Sequence, residues 1–171
     1  MGRIFPLTGQ CNFVGRAKIL ERLIRNYQSE SPSHIQVIGP HYTGKTSILL
    51  QLQKELQNEE NLDAVVYWDL VGLIPDNDDD FLFQLCKHLG NSLKEIDPET
   101  SEMLLDSSNE PKDSFNFLNE LAEIWEEENK KLLIIMDGFE RPINSGVLTA
   151  NLWDRLRHIA YSNQSVRLLT G

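Results

Sequence analysis

The chain has 171 residues, of which 40% are hydrophobic and 25% are charged, and its formal net charge is −10 at pH 7. This length suits one well-buried domain rather than two, so we expect a single domain over residues 1–171. No apolar run has the length of a membrane span and the N-terminus lacks the apolar core of a signal peptide, which predicts a cytoplasmic protein without membrane attachment. The negative charge does not favour nucleic acid as a partner, because phosphate backbones are bound by clustered Lys and Arg side chains.

The first predicted element is an amphipathic helix at the end of an N-terminal segment, residues 1–30. It follows Phe13-Val14-Gly15-Arg16, and its apolar residues recur at the i, i+3, i+4, i+7 spacing of a helix with one buried face: Leu20, Leu23, Ile24 and Tyr27. Pro32, in the polar stretch that comes next, ends this helix. We expect the remaining residues, 34–171, to form the core of the domain.

The second element is a short apolar run from His34 to Ile38, which we predict to be a buried strand. It leads directly into the octet Gly39-Pro40-His41-Tyr42-Thr43-Gly44-Lys45-Thr46, which has the Gly-x-x-x-x-Gly-Lys-Thr pattern of a phosphate-binding P-loop. A helix from about Lys45 to Gln57 follows it. The alternative, an ordinary glycine-rich turn, is disfavoured because the motif lies between a strand and a helix, as phosphate binding requires.

Each fixed position of the P-loop pattern in this octet contributes to phosphate binding in a way that depends on its residue type. Gly39 and Gly44 allow a tight turn and bring backbone N–H groups close to a phosphate. Lys45 would bind the β- and γ-phosphates of ATP, or the β-phosphate of ADP, and the Thr46 hydroxyl would bind Mg²⁺. The helix that starts there directs its positive end at the same anion. Ser47, the next residue, completes the predicted nucleotide-binding segment.

The middle of the chain predicts a strand and then a helix. The β-branched and aromatic stretch Ala64–Trp68 is typical of a strand. The acidic run Asp76–Asp80 favours the N-terminus of a following helix, which we expect to end near Gly90 or soon after. A calcium-binding loop is disfavoured, because Phe81 and Lys87 occupy the positions where such a loop needs Gly and Glu.

The second half of the chain continues the alternation. Its predicted elements are an exposed connection from Asp97 to Lys112 with one short helical turn at Met103–Leu105, a helix from about Ser114 to Glu128, a fully buried strand Lys131–Asp137, a loop containing Pro142 and Gly146, a helix near Leu148–Tyr161, and a short strand Val166–Thr170. This order predicts an α/β domain with a mainly parallel sheet. Ligands of such sheets bind at the carboxyl ends of the strands, where Gly39–Thr46, Asp137–Glu140 and Thr170 would meet.

A second group of candidate residues follows the buried strand. Asp137 at its tip is the candidate acid that binds Mg²⁺ together with Thr46, and the P-loop upstream favours this role over that of an ordinary strand-end acid. Glu140 is the candidate that orients or deprotonates the attacking water, with a surface carboxylate near Arg141 as the alternative. Thr170 could hydrogen-bond the water or the γ-phosphate from the neighbouring strand.

Taken together, these segments resemble P-loop ATPases of the STAND and AAA+ groups. The resemblance spans residues 13 to 170 and rests on four segments in this order: Phe13-Val14-Gly15-Arg16, Gly39–Thr46, Ile134-Ile135-Met136-Asp137-Gly138-Phe139-Glu140, and Arg167-Leu168-Leu169-Thr170. The Asp-Gly-Phe-Glu quartet is more similar to STAND proteins, including their NACHT branch, than to AAA+ enzymes, in which the catalytic Glu usually follows the Asp directly.

The resemblance implies a three-layer P-loop NTPase fold and a regulatory switch, which ATP binding opens into an oligomeric form and hydrolysis resets. It implies that Phe13, Val14, Gly15 and Arg16 lie against the adenine and ribose. The roles that it implies for the remaining candidates are triphosphate and Mg²⁺ binding for Lys45, Thr46 and Asp137, action on the water for Glu140, and sensing for Thr170. The expected partners are a second copy of the chain, or effector and sensor domains outside it.

The chain departs from the pattern of the resembled families in two ways. Arg141 stands where NACHT proteins often have a second acid. The sequence stops one residue after Thr170, so the last core strand and the helical lid are not part of it and no arginine finger is assigned. We therefore expect weak nucleotide binding and slow hydrolysis from an N-terminal piece of a longer protein. Two other hypotheses stay open: an AAA+ ATPase that works as a ring on DNA or protein, and a P-loop scaffold without turnover.

Overall fold

Strands and helices alternate along the part of the chain that the computed structural model describes, which comprises residues 16–29, 33–40, 42–57, 61–106, 111–162 and 164–171. The strands are β1 (Ile35–Gln36), β2 (Ala64–Asp69), β3 (Leu132–Asp137) and β4 (Val166–Thr170). The helices are α1 (Ala17–Tyr27), α2 (Lys45–Leu56), α3 (Asp78–Leu93), α4 (Pro98–Asp106), α5 (Ser114–Glu127), α6 (Glu140–Asn144) and α7 (Ala150–Ser162). No helix within these ranges combines the length and the apolar character that crossing a membrane requires.

The four strands form one parallel sheet in the order β1-β4-β3-β2. β3 lies inside this sheet and all of its residues are buried, as the uninterrupted apolar run predicts. The register aligns Gln36 with Thr170, Thr170 with Met136, and Asp69 with Asp137. Because all strands run in the same direction, these residues mark the edge at which the carboxyl ends meet. The prediction of an α/β domain with a parallel sheet is confirmed.

Two buried apolar clusters, one on each face of the sheet, form the core. Alternate residues of β3 divide between them: Leu133 and Ile135 belong to the cluster with α1 and α2, whereas Ile134 and Met136 belong to the cluster with α3, α4, α5 and α7. This division follows from the two-residue period of a strand, which directs successive side chains to opposite faces. The domain therefore has three layers, with the predicted P-loop helix α2 on one face.

β1 is an edge strand and not the buried strand that its apolar sequence predicts. Among the described residues its only strand partner is β4, through the pairs Ile35–Leu169 and Gln36–Thr170. Gln36 is exposed, and Ile38 just beyond the strand is 83% exposed. A strand with one neighbour keeps its outer backbone edge and part of its faces open, so an apolar run is a poor indicator of burial here.

The connection that we predict as exposed, residues 97–112, contains the packed helix α4. Two of its buried positions are polar and are satisfied by specific hydrogen bonds. Trp125 Nε1 donates to Thr100 Oγ1 at 3.3 Å, and Ser101 Oγ donates to the carbonyl of Gly90 at 2.7 Å. Sequence periodicity misses this helix because hydrogen-bonded polar side chains take the place of apolar ones at its buried positions.

α3 begins where the acidic run predicts a helix N-terminus. Asn77 is the cap, since its side chain accepts a hydrogen bond from the backbone N–H of Asp80 at 3.0 Å, and three aspartates occupy the first turn. The helix continues past Gly90 to Leu93. Gly90 does not end it because this glycine is a packing position against α4 rather than a terminus.

The loop predicted around Pro142 and Gly146 begins with the short helix α6. Pro142 is tolerated there because it lies in the first turn, where the missing backbone N–H would have no intrahelical partner. Gly138, with a φ of 77°, makes the turn from β3 towards this helix. Glu140 is therefore the first residue of a helix and not a residue of an open loop.

Candidate functional site

The loop between β1 and α2 ends in the conformation that a phosphate cradle needs. Gly44, the residue before α2, has a φ of +82°, a left-handed conformation in which a side chain is strained. Tyr42 at the tip of the loop also has a positive φ, 62°, and is 92% exposed. The Thr43 hydroxyl donates to the Pro40 carbonyl at 2.7 Å. The loop thus delivers the chain to the N-terminus of α2, where backbone N–H groups and the helix dipole favour an anion.

Lys45, the first residue of α2, folds back over this loop. Its Nζ donates a hydrogen bond to the Gly39 carbonyl at 2.9 Å. The ammonium group is therefore held across the loop, where a phosphate oxygen can replace the carbonyl as its acceptor. Thr46 and Ser47 follow in the same helical turn and are both half-buried. The lysine and the two hydroxyl residues accordingly share the helix terminus that the motif predicts for them.

The guanidinium group of Arg16 is a second cation beside the same loop. Nη1 of Arg16, the residue before α1, is 3.4 Å from the place that a Cβ on Gly44 would occupy. The guanidinium therefore lies at the N-terminus of α2, although we predict Arg16 to lie against the adenine and ribose. The other residues predicted for that contact, and one residue of the P-loop, fall outside the described residues: Phe13, Val14, Gly15 and His41.

Asp137 ends β3 at the carboxyl edge of the sheet and is 3% exposed. The phenolic oxygen of Tyr67 donates a hydrogen bond to its Oδ2 at 2.7 Å. Its Oδ1 lies 3.7 Å from the place that a Cβ on Gly171 would occupy, and that place is 2.5 Å from Cδ1 of Leu49 in α2. The P-loop helix and Asp137 therefore both lie close to this glycine, where an added Cβ would clash with Leu49. We call this meeting of Leu49, Asp137 and Gly171 the α2–β3 junction.

Backbone hydrogen bonds of Gly171 fix the start of α6 against the end of β4. Its N–H donates to the carbonyl of Met136 at 2.9 Å, and its carbonyl accepts from the N–H groups of Gly138 and Phe139 at 2.8 and 3.0 Å. Glu140 follows directly and is half-buried. Gly171 thus positions the backbone just before Glu140. The action of Glu140 on a water molecule stays a prediction.

Thr170 lies at the predicted edge but on the other face of the sheet. Its neighbour Leu169 belongs to the cluster of α1 and α2, as does Ile135, the register partner of Leu169. Alternation along β4 therefore directs the Thr170 side chain to the opposite face, together with its own partner Met136. Asp137 has the parity of Ile135 and faces α2. The structure does not bring the side chains of Thr170 and Asp137 to one face, and the sensor role stays a prediction.

Two side chains of β2 that the sequence analysis did not single out lie beside Asp137. Burial, the hydrogen bond to Asp137 and the negative charges of Asp137 and Asp69 raise the pKa of Tyr67 far above its usual range, so its phenol keeps its proton and donates. Asp69 is the register partner of Asp137, and its Oδ1 accepts from the N–H of Val71 at 2.8 Å. Alternation in β2 places Tyr67 and Asp69 on one face, but only the register against β3 brings them to Asp137.

Thr46 at the start of α2 and Asp137 at the α2–β3 junction carry the kind of oxygen atoms that bind a magnesium ion. Mg²⁺ is usually bound through one or two carboxylates, substrate phosphates and waters. Thr46 offers a hydroxyl from the start of α2, and Asp137 offers a buried carboxylate from the end of β3. The donor that holds Asp137 is a neutral phenol, which leaves the carboxylate its full negative charge for a cation.

Comparison with solved structures identifies the fold. The chain is similar to the ORC2 protein of Aeropyrum pernix, solved as ADPNP–ADP complexes, with a TM-score of 0.63 and 16% identity over 98% of this chain and 43% of that one. It is also similar to Cdc6p of Pyrobaculum aerophilum, with a TM-score of 0.63 and 16% identity over 98% of this chain and 41% of that one. The chain thus spans about two-fifths of the length of these proteins. No protein-family model and no curated protein matches the sequence. The likeness confirms the three-layer α/β fold with a parallel sheet that the sequence predicts.

Proposed function

We propose that this chain is an ATP-binding module of the AAA+ kind, which binds Mg²⁺ with the nucleotide, hydrolyses ATP slowly and couples the nucleotide state to assembly with a protein partner. The observation that carries this proposal is the position of Lys45, held over a glycine-containing loop at the N-terminus of α2. The buried carboxylate of Asp137 lies across the α2–β3 junction from the same helix. Anion-binding groups therefore stand at the start of α2, and a carboxylate approaches the next turn of the same helix, which is the kind of arrangement that a metal–nucleotide site needs.

Each side chain has one task in this proposal. Lys45 exchanges the Gly39 carbonyl for the β- and γ-phosphates, and Arg16 adds a second positive charge on the same loop. Thr46 and Asp137 hold Mg²⁺, which when bound supplies charge neutralisation on the phosphate oxygens. Glu140, fixed at the start of α6, orients the attacking water. Slow hydrolysis is expected because Thr170, the other candidate for contact with the water, faces the opposite side of the sheet.

The fold neighbours support the AAA+ alternative more than the STAND-type switch. Both similar structures are AAA+ ATPases, and A. pernix ORC2 was solved with ADPNP and ADP. The Asp-Gly-Phe-Glu quartet is the feature that favours the STAND-type switch, in which the nucleotide controls an effector through oligomerisation. A ring that acts on DNA is the further alternative, and the net charge of −10 does not favour it. We therefore propose protein, including a second copy of this chain, as the class of partner.

Calorimetric titration with ATP and with ADP in the presence of Mg²⁺ tests the proposal on the parent chain and on Lys45→Ala. The substitution removes one charged hydrogen-bond donor to phosphate, which is worth roughly 1.5–3 kcal/mol or about 10- to 100-fold in affinity. Lys54→Ala is the matched control, because Lys54 is an exposed residue in the last turn of the same helix. It should bind nucleotide like the parent.

Three outcomes separate the candidate functions. Equal nucleotide affinity in the parent and Lys45→Ala would refute the P-loop role, and folding and partner binding that ignore ATP and Mg²⁺ would favour the scaffold. Nucleotide-dependent self-association, measured by sedimentation with ADP and with a non-hydrolysable ATP analogue, would support the proposal. Phosphate release that rises when duplex DNA is added would favour the ring that acts on DNA.

A further inference from the structure

The hydrogen bond between Tyr67 and Asp137 joins a side chain without an assigned task to the candidate magnesium acid. The phenolic oxygen lies 2.7 Å from Asp137 Oδ2. The two residues lie on adjacent parallel strands, and in the register Tyr67 is opposite Ile135, two residues before Asp137. They therefore lie diagonally on one face of the sheet, at a separation that a long aromatic side chain can span.

Tyr67 is held on both faces of the sheet, by its ring on one face and through its backbone on the other. Its ring packs against the apolar cluster of α1 and α2. Its backbone carbonyl accepts a hydrogen bond from His88 Nε2 of α3 at 2.9 Å, and the His88 ring stacks on Trp68 with the ring centroids 5.5 Å apart. Because Tyr67 is held in this way, its hydroxyl can fix the orientation of the Asp137 carboxylate, which a mobile surface side chain could not do.

The chemical type of the donor matters as much as its position. A Lys or Arg at this point would neutralise the charge of Asp137 and repel a divalent cation. A phenol donates a hydrogen bond and leaves the carboxylate anionic. It also occupies one oxygen, Oδ2, while Oδ1 lies on the side of the α2–β3 junction, 3.7 Å from the place of a Gly171 Cβ.

We propose that Tyr67 is a positioning residue, which holds Asp137 by Oδ2 so that Oδ1 is directed at the Mg²⁺ that binds with the nucleotide. This inference rests on the proposed function, because it requires Asp137 to be a metal ligand. Tyr67 itself touches neither the metal nor the nucleotide. Its contribution therefore belongs to the metal-dependent part of nucleotide binding and not to the part that the P-loop supplies alone.

The test is the affinity for ADP measured by calorimetry in Mg²⁺ and again in EDTA, for the parent and for Tyr67→Phe. Removing a group that hydrogen-bonds a metal ligand typically costs about 10- to 100-fold in metal affinity. We expect Tyr67→Phe to bind ADP in EDTA like the parent and to lose most of the gain that Mg²⁺ brings. Mn²⁺ in place of Mg²⁺, followed by electron paramagnetic resonance in saturating ADP, reports the metal affinity directly and should weaken by the same factor.

Two further variants at tyrosine positions make the result specific. Tyr27→Phe is the matched control, because Tyr27 belongs to the same apolar cluster, is 1% exposed, and its hydroxyl has no hydrogen-bond partner among the described residues. It should leave the Mg²⁺ dependence unchanged. Incorporation of p-aminophenylalanine at position 67 restores a neutral donor at the same point of the ring and should restore most of the Mg²⁺ effect.

The failure of this inference differs from the failure of the proposed function. If Mg²⁺ strengthens ADP binding in the parent and Asp137→Asn abolishes that gain while Tyr67→Phe retains it, Tyr67 does not position the acid. If Tyr67→Phe weakens binding equally in EDTA and in Mg²⁺, its role is structural and the proposal is overturned. If the gain from Mg²⁺ survives Asp137→Asn, the assignment of Asp137 is wrong, and both the inference and the metal part of the proposed function fall.

Discussion

The left-handed conformation of Gly44 predicts that two glycine-to-alanine variants lose similar folding stability, while only one of them loses nucleotide affinity. Gly44→Ala introduces a Cβ at a φ of +82°, and the nearest atom to that Cβ is Arg16 Nη1 at 3.4 Å, an ordinary contact with a flexible side chain. Gly146 has a φ of +76° and nothing within 4 Å of its Cβ position, so Gly146→Ala is a matched control for the backbone effect alone. Left-handed Ala costs roughly 1–2 kcal/mol, partly offset by about 0.4–1 kcal/mol from the lower freedom of the unfolded chain.

Both variants should therefore lose about 1 kcal/mol of folding stability, which lowers the melting temperature by roughly 2–4 °C in a chain of this size. Only Gly44→Ala adds a methyl group to the phosphate cradle. If that group prevents one charge-assisted hydrogen bond, ADP affinity falls about 10- to 100-fold. Thermal melts and calorimetry on the three proteins check both numbers. Equal ADP affinity in the two variants would refute the placement of phosphate at Gly44, and two variants as stable as the parent would refute the strain argument.

The remaining predictions concern stability alone. His34 accepts from the Leu168 N–H through Nδ1 at 3.2 Å, and burial and the charge of Arg167 lower its pKa below its usual 6.5. The unfolded chain then binds the proton more tightly, so the melting temperature should fall as the pH is lowered from about 7.5 to about 5.5. His34→Gln should reduce this fall, and an unchanged dependence on pH would contradict the account. Gly90→Ala gains about 1 kcal/mol of helix propensity, but its Cβ would lie 2.8 Å from Leu105 Cγ, a clash of about 1–3 kcal/mol. A melting temperature lower by roughly 2–4 °C is expected, and a rise would show that α3 and α4 are not in close contact.

Apolar periodicity in the sequence predicts the elements that are buried through apolar side chains. β3 is the clearest case, since an uninterrupted apolar run gives a strand buried on both faces. α4 is predicted only as a single turn at Met103–Leu105, because Thr100 and Ser101 are buried through hydrogen bonds to other helices, and such partners leave no period in the sequence. β1 is predicted as a strand but not as an edge, because the number of neighbours of a strand is a property of the sheet order.

The sequence likewise predicts one part of the candidate site, the P-loop, and misses the other part, the surroundings of Asp137. The P-loop is local, so its residues are contiguous in the sequence and the pattern finds them. The surroundings of Asp137 depend on the register between strands that lie far apart in the chain, and no local pattern encodes that register. Tyr67 is therefore interpreted as an ordinary strand aromatic, and Gly171 is not singled out. The geometry of both appears only when α2, β2 and β4 are placed around β3.

The charge of the whole chain and the charge of the site have opposite consequences for nucleotide binding. A net charge of −10 repels an anionic nucleotide at long range, but this repulsion is screened over a Debye length of about 8 Å at physiological ionic strength. The groups within that distance of the P-loop then decide the affinity, and the side chains of Lys45 and Arg16 both contact the loop. Across the junction Asp137 offers carboxylate oxygens, so the site presents cationic groups to phosphate and oxygen ligands to a metal ion. Such a pattern is matched by the nucleotide and Mg²⁺ together better than by either alone, and binding of the pair should therefore be cooperative.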